Sequence, residues 1–230
     1  MTNAEATDSR ILLAAGKLFR EKGFSATTVR EIASGAQMLP GSLHYRYASK
    51  DEILIALMRR GIERAIEEVQ SAVSGVRDPI ERLRLGMRAH LKVLLTGEDA
   101  LYVLLFDWRS LPLGAREGVE RERRKYESYW DGLLFEAAGT GRARPMIDLE
   151  AVREFGFGAL NWVATWYRPD SGRTPEQIAD TYWTFMAFGL MTESERPANV
   201  GALFEALLPK GSIHMGPAAT EKLRNTEARK

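Results

Sequence analysis

The segment from Gly41 to Arg46, GSLHYR, places several hydrogen-bonding side chains close together. Ser42, His44 and Tyr45 each offer a donor or an acceptor, and Arg46 adds a rigid fork of donors. On a short helix, side chains of these types suit hydrogen bonding to base edges and phosphates in the major groove of DNA. Gly41 has no side chain, which lets the backbone approach a partner closely. We therefore take this segment as a candidate DNA-contacting helix.

Lys50 lies just beyond this segment, at the predicted start of the next helix. Its positive charge would sit beside the free N–H groups of a helix N-terminus, and both features favour a phosphate. The alternative is an ordinary helical hairpin in which Tyr45 and Tyr47 are packing residues. Periodicity alone leaves both interpretations open.

Two short helices are predicted around this segment, over residues 28–34 and from Pro40 to about Tyr47. The sequence SGAQML joins them through a glycine-containing turn. Upstream, apolar residues recur at three- and four-residue steps over residues 8–22, which predicts an amphipathic helix that ends at Gly23. This arrangement is typical of a helix-turn-helix unit. Its inward-facing residues are expected to be Val29, Ile32, Ala33, Leu43 and Tyr47.

Helix start signals continue along the chain. Thr28–Glu31 and Ser49–Glu52 match the capping box, and proline follows a capping residue at Asp78 and at Thr174. No segment alternates with period two over enough residues to predict a strand, so the expected fold is all-α. Further helices are predicted at residues 50–74, 79–96, 99–110, 114–138, 149–168, 175–191 and 200–208.

Composition narrows the functional classes. The chain has 230 residues, 45% hydrophobic and 27% charged, which is typical of a folded globular protein. It contains no cysteine, which excludes disulfides and thiolate catalysis. No apolar run reaches the roughly 18 residues of a membrane span, and the polar N-terminus is unlike a secretory signal, so we expect a cytoplasmic protein. Residues 1–60 carry nine basic and six acidic side chains, which is compatible with DNA binding but is weak evidence for it.

Three motifs, in a fixed order, carry a resemblance to a known family. They are LFREKGFSATT from Leu18 to Thr28, VREIA from Val29 to Ala33, and GSLHYRYASKDE from Gly41 to Glu52. Over residues 8–55 the chain resembles the DNA-binding domain of the TetR/AcrR family of bacterial transcriptional regulators. As an ordered set the motifs are highly specific.

Three positions depart from the family pattern. Gln37 stands in the turn where members usually have glycine, and Leu39 stands where Ser or Thr usually caps the recognition helix. His44 replaces a common tyrosine. These changes should leave the fold intact, whereas they bear directly on the phosphate contacts and the operator sequence.

The resemblance implies an N-terminal three-helix DNA-binding domain over residues 1–55, followed by a larger helical ligand-binding and dimerisation domain over residues 56–209. Residues 210–230 show little periodicity and are expected to form a flexible tail. The first implied partner is a double-stranded DNA operator. Its candidate contacts are Thr27, Thr28, Arg30, Pro40, Gly41, Ser42, His44, Tyr45, Arg46 and Lys50.

The second implied partner is another copy of the chain, because the family dimerises through its last two long helices. Aromatic and small residues share one face on each of the predicted helices 149–168 and 175–191, which supports a homodimer. The alternative is that these residues fill an intramolecular core. The candidate dimer contacts are Phe155, Ala159, Trp162, Trp166, Ile178, Tyr182 and Phe185.

The third implied partner is a small-molecule effector. Most of its candidate contacts are large and apolar, and Arg109 adds forked donors for a carboxylate or phosphate. The segments DWRSLP and GALNWVATWYRPD resemble a TetR subgroup associated with lipid or acyl-CoA catabolism, so an acyl-CoA thioester or a hydrophobic acid is expected. The candidate contacts are Met87, Leu91, Tyr102, Phe106, Arg109, Tyr126, Trp130 and Asn161.

No catalytic residue, metal site or cofactor is predicted. His44, His90 and His214 are widely separated along the chain, and a chain without cysteine has no zinc-binding cysteine pattern. The leading hypothesis is therefore a repressor, not an enzyme, that a ligand releases from its operator. Two alternatives stay open: a helical enzyme or small-molecule-binding protein without operator binding, and an activator with the same fold.

Overall fold

The computed structural model of the protein describes residues 3–97, 99–144 and 148–192, and the helix predicted at 200–208 and the tail lie outside them. Within these residues the secondary structure is helical apart from one isolated bridge between Ala143 and Met191, so the all-α prediction is confirmed. No helix in the described ranges is long and apolar enough to cross a membrane. The helices are α1 (Asn3–Lys22), α2 (Val29–Gly35), α3 (Pro40–Arg46), α4 (Lys50–Val73), α5 (Pro79–Thr96), α6 (Ala100–Asp107), α7 (Leu113–Gly139), α8 (Leu149–Trp166) and α9 (Pro175–Leu190).

Capping side chains explain why the helix starts match the prediction. The Glu31 N–H donates to Thr28 Oγ1 over 3.2 Å, and the Thr28 N–H donates to the Glu31 carboxylate over 2.8 Å, which completes a capping box at α2. Thr174 and Gln177 form a second capping box at α9, with Pro175 at the first helical position. These bonds satisfy backbone donors that a helix start otherwise leaves free.

Two elements differ from the prediction. The first helix begins at Asn3, five residues earlier than expected, because the intervening residues contain good helix formers and no breaker. The helix expected over residues 99–110 ends at Asp107 and continues as a short 3₁₀ helix, Trp108–Ser110. Pro112 accounts for the stop, since the residue before a proline disfavours helical geometry.

The long helix α4 belongs to both halves of the described chain. It packs against α1 near its start and against α5, α6 and α7 along the rest of its length. The domain boundary predicted at residue 55 therefore falls inside this helix. Gly61 sets the closest approach, because a Cβ atom there would lie 2.8 Å from the backbone carbonyl carbon of Ala100 in α6. Any larger residue would push α4 and α6 apart.

The turn between α2 and α3 has the geometry of a Schellman motif. The Met38 N–H donates to the Ala33 carbonyl over 3.0 Å, and Gln37 lies in the left-handed region with φ of 56°. Glycine is the usual residue at this position because it has no Cβ atom to clash in that conformation. Gln37 therefore carries local strain.

Replacing Gln37 by glycine should raise the free energy of unfolding by about 0.5–1 kcal/mol. The left-handed conformation costs a residue with a side chain about 1–2 kcal/mol, and the greater freedom of glycine in the unfolded chain offsets part of that gain. Urea denaturation measures the change. The control Gln37→Ala keeps the Cβ atom and should bring no gain, so equal stabilisation by both variants would contradict the strain.

Candidate DNA interface and effector site

Helix α3 has one buried face and one exposed face. Leu43 is fully buried against the neighbouring helices, whereas the Tyr45 side chain is 93% exposed. The helix starts at Pro40, whose missing N–H is not needed at that position. An exposed tyrosine on so short a helix makes little packing contact, so its ring and hydroxyl are accessible to a partner outside the chain.

Seven of the ten predicted DNA contacts are exposed on or next to α2 and α3. The Arg30 side chain pairs with no carboxylate among the described residues. Its charge is therefore available to a phosphate. The exposed residues are Thr28, Arg30, Pro40, Gly41, Ser42, His44 and Tyr45.

Thr27 and Arg46 are instead engaged within the chain. Thr27 is 1% exposed and its hydroxyl donates to the Gly23 carbonyl over 2.9 Å, so it closes the turn after α1. Arg46 donates to the Ala4 carbonyl over 3.0 Å and lies 3.5 Å from the Asp8 carboxylate. It therefore fastens α3 to the start of α1.

Lys50 differs most from its predicted role. Its ammonium group donates to the carbonyls of Phe24 and Thr27, over 2.7 and 2.8 Å, and lies 4.3 Å from the centre of the Phe24 ring. A third carbonyl, that of Ser25, lies 3.4 Å away. With its donors directed at these carbonyls, Lys50 holds the loop between α1 and α2 against the start of α4. We assign it to the fold and leave it out of the DNA contacts proposed below.

Four of the predicted ligand contacts (Met87, Tyr126, Trp130 and Asn161) lie together where α5, α7 and α8 meet, around a histidine that the sequence did not single out as a ligand residue. A fifth, Leu91, follows that histidine on α5. His90 Nδ1 is 2.8 Å from the Tyr126 hydroxyl, and His90 Nε2 is 3.0 Å from Asn161 Oδ1. The rings of Trp130 and Phe157 pack around the histidine. Met87 and Leu91 are buried on the same helix as His90.

The bonding partners fix the protonation of His90. Because a carbonyl oxygen only accepts, His90 Nε2 carries the proton and donates it to Asn161. The other ring nitrogen then accepts from the Tyr126 hydroxyl. Complete burial lowers the pKa of His90 from 6.5 to about 4, although the Asn161 bond opposes the shift. The polar chain is therefore neutral at pH 7.

The three other predicted ligand contacts lie elsewhere. The Tyr102 ring lies beneath the Arg20 guanidinium of α1, at 4.5 Å, and its ring centre is 4.5 Å from that of Phe106. Arg109 is exposed on the 3₁₀ helix beside Trp108. These residues face α1 or solvent because α6 packs across α1 and α4. They share no site with His90.

An exposed apolar face covers parts of α8 and α9. Phe155, Trp162 and Phe185 are 77%, 64% and 63% exposed. We call this surface the α8–α9 face and define it by Phe155, Ala159, Trp162, Trp166 and Phe185. Of the other two predicted dimer contacts, Ile178 is buried because it points into the core, and Tyr182 is half-buried beside Gly156.

Comparison with known proteins places the chain in a family. Residues 11–57 match the sequence profile of bacterial regulatory proteins of the tetR family. Residues 76–190 match that of the tetracyclin repressor-like C-terminal domain. The chain belongs to the TetR family. The exposed helix α3 is thus the second helix of a TetR-type helix-turn-helix.

Individual TetR relatives align over most of the chain. The HTH-type transcriptional repressor KstR2 of Mycobacterium tuberculosis is 29% identical over 80% of this chain and 92% of its own length. Its structure has a TM-score of 0.73 and covers 84% of this chain and 98% of that chain at 26% identity. The Bacillus subtilis fatty acid metabolism regulator protein is 25% identical over 70% of this chain and 84% of its own length. AibR, solved with isovaleryl coenzyme A and operator DNA, has a TM-score of 0.71 at 27% identity, covering 78% of this chain and 97% of that one.

The neutral state of His90 has a consequence for acid stability. Its pKa in the folded chain, about 4, lies below the 6.5 of an unfolded histidine. As the pH falls between these values, the unfolded chain binds a proton at His90 and the folded chain does not, which favours unfolding. Between pH 7 and pH 4.5 the free energy of unfolding should therefore decrease in both proteins. The decrease should be about 2–3 kcal/mol larger for the wild type than for His90→Gln, whose side chain does not titrate. Denaturant unfolding at both pH values measures this difference.

The matched control is His44→Gln, which removes an exposed histidine. It should keep the pH dependence of the wild type, because it retains the buried His90. Carboxylates such as Glu31 are present in all three proteins and contribute equally to each. An identical pH dependence for His90→Gln and the wild type would mean that His90 is not held neutral.

Proposed function

We propose that the protein is a bacterial transcriptional repressor that binds a palindromic DNA operator as a homodimer and leaves it on binding an apolar effector. The observation that carries the proposal is the two-sided α3, with Leu43 sealed in the core and Tyr45 presented to solvent. A helix of this kind next to an anchored α2 suits insertion into a major groove. The repressor KstR2 and the operator-bound AibR are relatives with this fold.

The DNA contacts that we propose are the seven exposed residues of the helix-turn-helix. Arg30 would meet a phosphate. Thr28 lies at the start of α2, where the backbone N–H groups that the capping box leaves unpaired would meet another. Ser42, His44 and Tyr45 lie on the exposed side of α3, and there they would contact base edges or phosphates. Pro40 and Gly41 carry no long side chain at the start of α3, which allows close approach to the groove.

The homodimer is proposed from the α8–α9 face. Large aromatic side chains exposed along one helix face, as Phe155, Trp162 and Trp166 are on α8, are unfavourable in water and usually mark an interface. Small residues between them, Gly158 and Ala159, would let the two α8 helices approach closely. A two-fold axis through this face would relate the two copies of α3 by the same symmetry that relates the halves of a palindromic operator.

The effector is proposed to be an acyl-CoA thioester or a hydrophobic acid. Two relatives support this class: AibR, whose structure contains isovaleryl coenzyme A, and the Bacillus subtilis fatty acid metabolism regulator. The helices α5, α7, α8 and α9 enclose mostly apolar side chains, which suits a ligand with an apolar chain. Such a ligand releases DNA if it binds the conformation that cannot bind the operator more tightly.

Removing Arg30 or Tyr45 should weaken operator binding without unfolding the protein. Arg30→Ala should also lower the slope of log affinity against log salt by about one, because one phosphate contact is lost. Tyr45→Ala should lower affinity by about tenfold at constant slope if it contacts a base. Fluorescence anisotropy on genomic operator fragments at several salt concentrations measures both effects.

The control for these variants is Arg173→Ala, which removes an exposed arginine before α9. Its affinity and salt slope should equal those of the wild type. Wild-type binding by both Arg30→Ala and Tyr45→Ala would place the DNA elsewhere.

Introducing a charge into the α8–α9 face should separate the protomers. Trp162→Glu would bury a carboxylate against apolar side chains at the interface, which is unfavourable without a partner. Sedimentation should show a dimeric wild type and a monomeric variant with much weaker operator binding. Leu113→Glu, at a 78% exposed site at the start of α7, is the control and should stay dimeric. A monomeric wild type at micromolar concentration would end the dimer proposal.

A further inference from the structure

A cavity lies among the start of α5, the end of α7, the start of α8 and the end of α9. Its volume is about 460 Å³, within the range typical of small-molecule sites. Apolar side chains form most of its walls, so transfer of an apolar ligand group from water into the cavity is favourable. The principal wall residues are Ile80, Leu83, Leu134, Leu149, Trp183 and Leu190.

The mouth of this cavity is held in place by two chain segments. The Arg144 N–H donates to the Leu190 carbonyl over 2.7 Å, and the Thr192 N–H donates to the Arg142 carbonyl over 2.9 Å. The Arg142 guanidinium contacts both carboxylate oxygens of Asp78, at 2.9 and 3.0 Å. The segment from Arg142 to Arg144 is therefore held to the end of α9 by backbone hydrogen bonds and to the start of α5 by Asp78. The Asp78 carboxylate also neutralises the Arg142 charge.

Arg144 is a second cation at this mouth. Its Nε atom donates to the Met191 carbonyl over 3.2 Å, and within the described ranges no carboxylate pairs with its guanidinium. An arginine in this state can still direct its terminal N–H groups at an anion. Among the residues that the structure describes, the cavity thus joins an apolar interior to one available positive charge at its rim.

We propose that this cavity is the effector site and takes an acyl chain that ends in an anionic group, with the chain inside and the anion at Arg144. The anion is either the carboxylate of a free acid or a phosphate of a coenzyme A thioester. This inference rests on the proposed function, because it names the site and the ligand class for the same effector. It replaces Arg109 by Arg144 as the anion-binding residue.

Two other places suit such a ligand less well. A cleft of about 560 Å³ lies between α1, α4, α5 and α6, but charges of both signs line it, including Arg64 paired with Glu68 at 2.9 Å. An apolar chain there would strip water from charged groups. Arg109 lies exposed on the 3₁₀ helix, away from the apolar cavity.

The position of the cavity also gives the effector a path to the DNA-binding helices. Leu83 and Leu134 line both this cavity and a smaller one beside Trp130, next to the His90 chain. Helix α5 begins at the cavity and ends beside α6, which packs on α1. A ligand that displaces the start of α5 therefore acts on an element that reaches toward the operator-binding unit.

The test measures direct ligand binding by isothermal titration calorimetry on the full chain without DNA. The probes are decanoic acid, decanoyl-CoA and uncharged decanol. The wild type should bind the acid or the thioester, and Arg144→Ala should weaken that binding by about tenfold. Decanol should bind both proteins alike, because it has no anion for Arg144. Comparison of the acid with the thioester shows which anion the rim takes.

Two further variants complete the design. Arg109→Ala removes an arginine outside the cavity and should bind the probes as the wild type does. Ala138→Phe places a ring in the cavity and should abolish binding of all probes, with circular dichroism confirming the helical fold. If Ala138→Phe does not fold, the Arg144→Ala and Arg109→Ala comparison alone decides.

Wild-type affinity in Arg144→Ala, or loss of affinity in Arg109→Ala, would overturn the assignment. Absence of binding by both the acid and the thioester would overturn the ligand class. Operator affinity is measured separately without ligand, so failure of the repressor proposal is distinguishable: the protein would then bind the probes but no operator. The supporting outcome is tenfold weaker anion binding in Arg144→Ala at unchanged operator affinity.

Discussion

The Lys50 ammonium group at the start of α4 is the contact on which the geometry of the helix-turn-helix depends. It donates hydrogen bonds to the carbonyls of Phe24 and Thr27 and lies over the Phe24 ring. These contacts hold the loop between α1 and α2 against α4. Because the same loop leads into the capping box at Thr28, the orientation of α2 follows from this contact. A charge bonded to several carbonyls in a partly buried place is strong and directional. The proposed operator-binding surface is thus positioned by α4.

A second set of contacts fixes this unit to α6. Arg20 of α1 pairs with Asp99 at 2.6 Å, just before α6, and stacks on Tyr102 within it. At the other end of α6, the Phe24 N–H donates to Asp107, which partly opposes the rise in the pKa of that carboxyl caused by burial. Gly61 holds α4 against the first residue of α6. α1, α4 and α6 are therefore tied together by these contacts. Under the proposed function, a change in the C-terminal helices would reach DNA by moving α1, α4 and α6 together.

Local signals made most of the helices predictable from the sequence. The roles of Lys50 and His90 could not be predicted, because they depend on contacts between residues far apart in the chain. Thr28 and Glu31 are three residues apart, so their capping box is visible in the sequence. Lys50 has its carbonyl partners 23 to 26 residues earlier, and no local pattern distinguishes that role from a phosphate contact. His90 meets Tyr126 and Asn161, 36 and 71 residues further on. Its available signal was a lone histidine between Met87 and Leu91 on an apolar helix face, where a buried polar ring needs partners.

The buried His90 chain explains how the C-terminal helices can respond as a set. Its bonds run in one direction, from the Tyr126 hydroxyl through the imidazole to the Asn161 oxygen, and join α7, α5 and α8. Separating these helices would leave buried donors and acceptors unpaired, which costs more than an equal loss of apolar contact. α8 also carries most of the exposed aromatic face and α5 ends beside α6. A displacement that preserves these hydrogen bonds must therefore move α5, α7 and α8 together. Such a movement would shift α8, which carries the exposed aromatic residues, and the end of α5, which lies beside α6.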